Sequence, residues 1–191
     1  MAATSPIKDT KQIAGAKAWF LKNKKIRDYA LFIVGINTAL RIGDILSLMW
    51  GDVYDFENKR FRTHVVVKEQ KTGKTNCVAL NETVVEALKR LFATVQADKG
   101  SYIFRSRKGH NCHISRNRAY MILTGVHKAL SWIVKFSCHS LRKTFGYHAW
   151  RAGTPGVLLM AIYNHSSFSI TQHYLGIDQQ EKDEVYAKIQ L

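Results

Sequence analysis

From Lys99 to Ile177 the chain contains not one Asp or Glu. The same stretch carries eleven Lys or Arg and seven of the eight His. A folded domain ordinarily mixes both signs on its surface. A stretch this long without carboxylates suggests a surface built to meet a polyanion, with nucleic acid the leading candidate. The plainer alternatives are a solvated basic face and non-specific attraction to anionic surfaces. The absence also excludes a class of chemistry. Nucleases and transposases that work through two Mg²⁺ ions need clustered carboxylates to hold them, and this half of the chain has none. The rest is closer to balance, with sixteen basic and ten acidic residues over positions 1–98 and two basic against four acidic over the last fourteen. The net charge is +15.

Other absences narrow the field further. Three cysteines, Cys77, Cys112 and Cys138, fit neither a disulfide framework nor a CxxC metal pattern, which points to a reducing, cytoplasmic setting. His110, Cys112 and His113 sit too close together for a normal four-ligand zinc site. No apolar run is long enough to span a bilayer, and MAATSPIKDTKQ has no signal-peptide pattern. There is no P-loop GxxxxGK[ST], no internal repeat and no low-complexity segment. Its 191 residues suffice for one domain with a real core.

What is present reads as helices, a small hairpin, then helices, a mostly α, α+β domain. Residues 1–9 look like a loose arm. Lys11–Lys22 has Ile13, Ala16, Trp19 and Phe20 on one face. Asp28–Leu40 is a strongly apolar helix, followed at once by Arg41 and a short helix over GDILSLMW. RFRTHVVVKE and TNCVALN read as the strands of an antiparallel hairpin, with Lys71-Thr72-Gly73-Lys74 as the turn. Asn81 caps a helix over Glu82–Val95. SYIF is extended, SRKGHNC is a basic loop, and Ser115 caps a helix reaching about Ile133. Ser137 caps the helix carrying HSLRKTF, which Gly153 ends. Pro155 opens the next helix, and Asn164 stops it. SSFSITQHYLGI and a polar tail, DQQEKDEVYAKIQL, close the chain.

A basic domain without a metal-binding half can still act on a phosphodiester through cationic side chains and a protein nucleophile. Arg41 lies at a junction of two helices. Arg142 follows His139 by three residues, so both fall on one helix face. Guanidinium groups bind non-bridging phosphate oxygens bidentately and hold their charge, and stabilising developing charge is commonly the largest catalytic contribution. Lys71, on a hairpin tip, can reach a leaving oxygen as general acid. His139 and His165 can relay protons near neutral pH. Tyr174 is a candidate nucleophile. A free tyrosine has a pKa of about 10, so such a nucleophile needs surrounding cations. Each residue alone has an ordinary explanation: a helix-end arginine, a turn lysine, a core histidine, a half-buried aromatic. Only the set of them together points to one chemistry.

These residues resemble a known pattern. ALRIGDILSLMWGDV is similar to the first box of the tyrosine recombinases, the phage-integrase family, with Arg41 as its first arginine and Asp44 at the usual acidic position. The KTGK hairpin resembles the family's lysine turn, HSLRKTF its H-x-x-R box, and YNHSSFSITQHYLGI its last box, with Tyr174 nine residues after His165. One departure is Asn164, where the family commonly has Gly. Asn is the next-best residue for a left-handed helix stop.

The resemblance covers roughly residues 25–180. It implies the tyrosine recombinase catalytic-domain fold over 25–191, with 1–24 as an arm or linker remnant and 176–191 as a C-terminal tail. By the same resemblance, Tyr174 attacks a DNA phosphodiester to form a 3′-phosphotyrosyl link. Arg41 and Arg142 hold the non-bridging oxygens, Lys71 protonates the leaving 5′-oxygen, His139 assists at the tyrosine, and His165 donates to the phosphate. No cofactor, metal or ATP is implied. The implied partner is double-stranded DNA, bound by a homo-tetramer, in the cytoplasm of a bacterium or encoded by a phage or mobile element. Lys74, Arg105, Arg107, Lys108, Arg116 and Lys143 are the expected DNA contacts. Most members carry a further N-terminal DNA-binding domain, so the sequence is expected to be either a fragment or a compact recombinase. The rivals are a type IB topoisomerase, which the compact length and the LRIGD box disfavour, and a catalytically inactive DNA-binding module derived from an integrase.

Overall fold

The computed structural model describes residues 4–133, 136–175 and 179–189. The chain runs α1 (Thr10–Lys22), α2 (Ile26–Asn37), α3 (Ile42–Leu46), α4 (Trp50–Val53), β1 (Tyr54–Asp55), β2 (Arg60–Phe61), β3 (His64–Lys68) and β4 (Thr75–Ala79). It continues through α5 (Glu82–Phe92), α6 (Arg116–Ala129), α7 (Cys138–Arg151), α8 (Gly156–Ile162), α9 (Phe168–Leu175) and α10 (Gln179–Lys188). The architecture is mostly α, with antiparallel β1–β2 and β3–β4 pairs. No helix among the described residues is long and apolar enough to cross a membrane.

The apolar helix α2 is the centre of the core. Ala30, Leu31, Phe32 and Ile33 are fully buried, and α2 packs against α1, α5 and α7. The hairpin lays Val65 and Val67 on the core while His64, Val66 and Lys68 face out, the period-2 alternation of a half-buried strand. The expected caps are in place. Asn81 and Ser115 accept from Val84 and Arg118 amides, and Ser137 forms a reciprocal box with Ser140. Gly153 and Asn164 take positive φ at the ends of α7 and α8.

Three local expectations change. GDILSLMW is two helical turns rather than one helix, because Met49 breaks off to pair with Tyr102. The helix from Ser115 ends at Ala129, with Ser131 at positive φ. Residues 4–9 are no loose arm but a strap along α7. The Ile7 amide donates to Thr144 Oγ1 (2.9 Å), His148 Nε2 bonds the Ile7 carbonyl (2.9 Å), and Lys143 Nζ donates to the Thr4 carbonyl (2.6 Å). Ile7 is 4% exposed, so burying one apolar side chain helps anchor the strap. Ala16 and Phe20 of α1 pack into the common core. Positions 176–178 and 190–191 of the expected tail lie outside the described residues.

Candidate active site

The site forms where α3, the β3–β4 turn, α7 and α8–α9 meet. α2 ends at Thr38, and the chain reverses through Ala39 at φ 56°. This turn places Arg41 at the head of α3 and leaves the Ala39 carbonyl pointing at α7. Arg142, one turn into α7, is 2% exposed. Its Nη1 donates to the Ala39 carbonyl and its Nη2 to the Tyr163 carbonyl (2.8 Å). Its Nε is buried without a hydrogen-bond partner. Burial and the nearby Arg41 lower its pKa to about 10, so it remains charged at neutral pH.

Arg142 Nη2 also donates to His165 Nε2 at 3.3 Å. A guanidinium can only donate, so Nε2 is the acceptor and Nδ1 carries the proton toward Thr171 Oγ1 (3.0 Å). The imidazole stacks on Tyr163, with centroids 5.2 Å apart and planes 10° apart. Burial, then Arg142 and Arg41, depress the His165 pKa to about 4. The ring is therefore neutral. Tyr174, on α9, is half-buried, and its ring lies 5.2 Å from the His165 centroid, 5.3 Å from that of Tyr163 and 5.6 Å from Arg142 Cζ.

Arg41 pairs through Nη1 with Glu69 Oε2 at 2.5 Å. Asp44 accepts from the Gln70 amide at 2.9 Å, stitching α3 to the hairpin. Arg116 reaches across to Gln70 Oε1 at 3.0 Å. Gly73, at φ 70°, closes the turn that holds Lys71 exposed. His139 is solvent-exposed at the start of α7. Partial burial, followed by Lys143, Arg142, Lys71 and Arg41, lowers its pKa. Lys71 also depresses His165. All six residues expected at the centre thus share one cationic cluster.

The outer cations are distributed differently. Lys74 is exposed on the hairpin turn, and Arg105, Arg107 and Lys108 are exposed on the loop after Phe104. Arg27 Nη1 fastens that loop through the Arg105 carbonyl. Lys143 is turned to the N-terminal strap. Sequence reasoning missed Tyr163, Thr171 and Glu69. Thr171 carried a signal, standing three residues before Tyr174 on one helix face. Glu69 carried another, because alternation from Val65 and Val67 points it inward.

The phage integrase family profile matches residues 8–181. The chain is 38% identical to the probable integrase/recombinase YoeC of Bacillus subtilis (strain 168), over 97% of each chain. It is 23% identical to the tyrosine recombinase XerA of Thermococcus onnurineus (strain NA1) over 87% of this chain, spanning 57% of that protein's length. The crystal structure of XerH site-specific recombinase bound to palindromic difH substrate, a post-cleavage complex, superposes with a TM-score of 0.76 at 17% identity, covering 97% of this chain and 52% of that one. The chain belongs to the phage integrase family of tyrosine recombinases, and its fold is that of their catalytic domain.

Proposed function

We propose that this protein is a site-specific DNA recombinase that breaks and rejoins strands through a 3′-phosphotyrosyl intermediate. The carrying observation is that Tyr174 lies against His165 and beside Arg142, whose guanidinium is fixed by two backbone carbonyls. In the reaction the Tyr174 oxygen bonds to phosphorus and the P–O5′ bond breaks. His139 assists removal of the phenolic proton, and Lys71 delivers a proton to the departing 5′-oxygen. Arg41 and Arg142 hold the non-bridging oxygens as charge develops on them. The reverse attack by a 5′-hydroxyl rejoins the strand, and the phosphotyrosyl bond conserves the energy needed.

His165 needs one change to take part. With Nε2 accepting from Arg142, it has no proton there to give the phosphate. An arriving anion raises the ring's proton affinity, so on phosphate binding the ring takes up a proton from solvent at Nε2. Exchange between duplexes calls for several copies on DNA. Exposed Val185, Tyr186 and Ile189 on and just after α10 offer an apolar surface for a neighbouring copy.

The test is covalent trapping on nicked suicide DNA carrying candidate attachment sites. The wild type is expected to yield a denaturation-resistant adduct and Tyr174→Phe none. DNA binding without any adduct would assign the chain to the inactive, binding-only class.

A further inference from the structure

Glu69 is 1% exposed and stands behind Arg41, which retains partial exposure. Its Oε2 accepts from Arg41 Nη1 at 2.5 Å and from the Thr72 hydroxyl at 2.6 Å. Its backbone closes the same turn. The Glu69 amide donates to the Lys74 carbonyl (2.9 Å), and the Glu69 carbonyl accepts from the Gly73 amide (2.8 Å). Lys71 lies inside that loop. One residue therefore grips the first arginine with its side chain and frames the lysine turn with its backbone, while Thr72 ties the two together.

A carboxylate buried this deeply is costly unless it is paired. Burial pushes the Glu69 pKa up, but the bonds from Thr72 and Arg41 outweigh it and hold the acid ionised below its ordinary value. The pairing consumes little of what a phosphate needs. A guanidinium has five N–H donors, and Glu69 engages Nη1 alone from the inner side. Glu69 Oε1 is buried without a hydrogen-bond partner, so the second oxygen acts through its charge among the surrounding cations.

We infer that Glu69 is a positioning residue that joins Arg41 and the Lys71 turn into one rigid unit, aiming phosphate clamp and general acid at the same phosphodiester. It stays paired throughout the reaction and never contacts DNA. This inference rests on the reading of the site as a strand-cleaving centre.

A leaving-group experiment isolates the lysine arm. The suicide duplex is prepared with its ordinary scissile phosphate and with sulfur replacing the bridging 5′-oxygen. In the second substrate the P–S bond breaks and sulfur departs as a thiolate, which needs no proton. Glu69→Ala is expected to slow adduct formation on ordinary DNA by about 10- to 100-fold, the scale of a misaimed reacting group. DNA affinity at fixed salt is expected to stay unchanged. The sulfur substrate should recover much of the loss in Glu69→Ala and Lys71→Ala and none in Arg41→Ala. Glu69→Gln, which keeps an acceptor oxygen, should fall between wild type and Glu69→Ala.

A Glu69→Ala enzyme that cleaves at the wild-type rate overturns the inference, as does a loss equal on both substrates. If Glu69→Ala fails to fold by circular dichroism, Thr72→Val carries the same test, since it removes one bond and keeps the charge. An adduct from the wild type together with an indifferent Glu69 variant sinks only this inference. No wild-type adduct on either substrate sinks the strand-cleaving reading beneath it.

Discussion

His165 is a histidine kept neutral by its surroundings, and that has a cost with a definite sign. Its folded pKa of about 4 lies below the ordinary histidine value. Between those values the unfolded chain binds the proton and the folded chain does not, so stability is fully present above about pH 6.5 and lost as pH falls toward 4. Linkage sets an upper limit near 3 kcal/mol, and solvent screening of a half-buried ring reduces it to about 1–2 kcal/mol. The expected result is a melting temperature that drops by about 5 °C more in wild type than in His165→Asn between pH 7 and pH 4.5. The slope is the readout, since the substitution also removes the stack on Tyr163. Equal slopes would mean that His165 is not the titrating group. The lowered pKa of His139 acts in the same direction in both proteins.

At the level of elements, the junction of α7 with α8–α9 depends on a missing side chain. A Cβ at Gly146 would overlap the Tyr163 hydroxyl, which donates to the Arg142 carbonyl at 2.7 Å. Gly146→Ala is therefore expected to cost about 1–3 kcal/mol by overpacking, measured by urea denaturation. It should also lower adduct yield, because displacing Tyr163 moves both the His165 stack and an Arg142 acceptor. Unchanged stability would show that the junction gives way more easily than its packing implies. This is also the scale at which sequence reading succeeds and fails. Asn81, Ser115, Ser137, Gly153 and Asn164 marked helix ends because capping and positive φ are local requirements. The R, K, H-x-x-R and H…Y boxes were legible because each is a short run of sequence, His139 and Arg142 within α7 and His165 to Tyr174 from the α8–α9 turn into α9. The Arg41–Glu69 pair, the Tyr163 stack and the strap from Thr4 to Asp9 were not, because each joins residues far apart in sequence. Met49 left its neighbours for Tyr102, a partner that no periodicity reveals.

Over the whole molecule, the carboxylate-free stretch supplies Arg142, His165 and the exposed loop cations Arg105, Arg107 and Lys108. If this surface meets DNA, log Kd should vary steeply with log salt, by about 0.9 for each phosphate neutralised. Arg107→Ala with Lys108→Ala should flatten that dependence by up to about two such steps. The double variant should not change the ratio of cleavage rates between oxygen- and sulfur-bridged substrates. A shallow wild-type slope, measured by fluorescence anisotropy, would argue against a DNA-facing basic surface. The seat of Arg142 has a consequence for variation among homologues. Its two firm acceptors are the main-chain oxygens of Ala39 and Tyr163. Exchanging either side chain deletes neither atom, so a substitution at these positions reaches the arginine's anchorage only by moving the backbone. An alignment column, which registers side chains alone, would pass over the atoms that hold this cation in place.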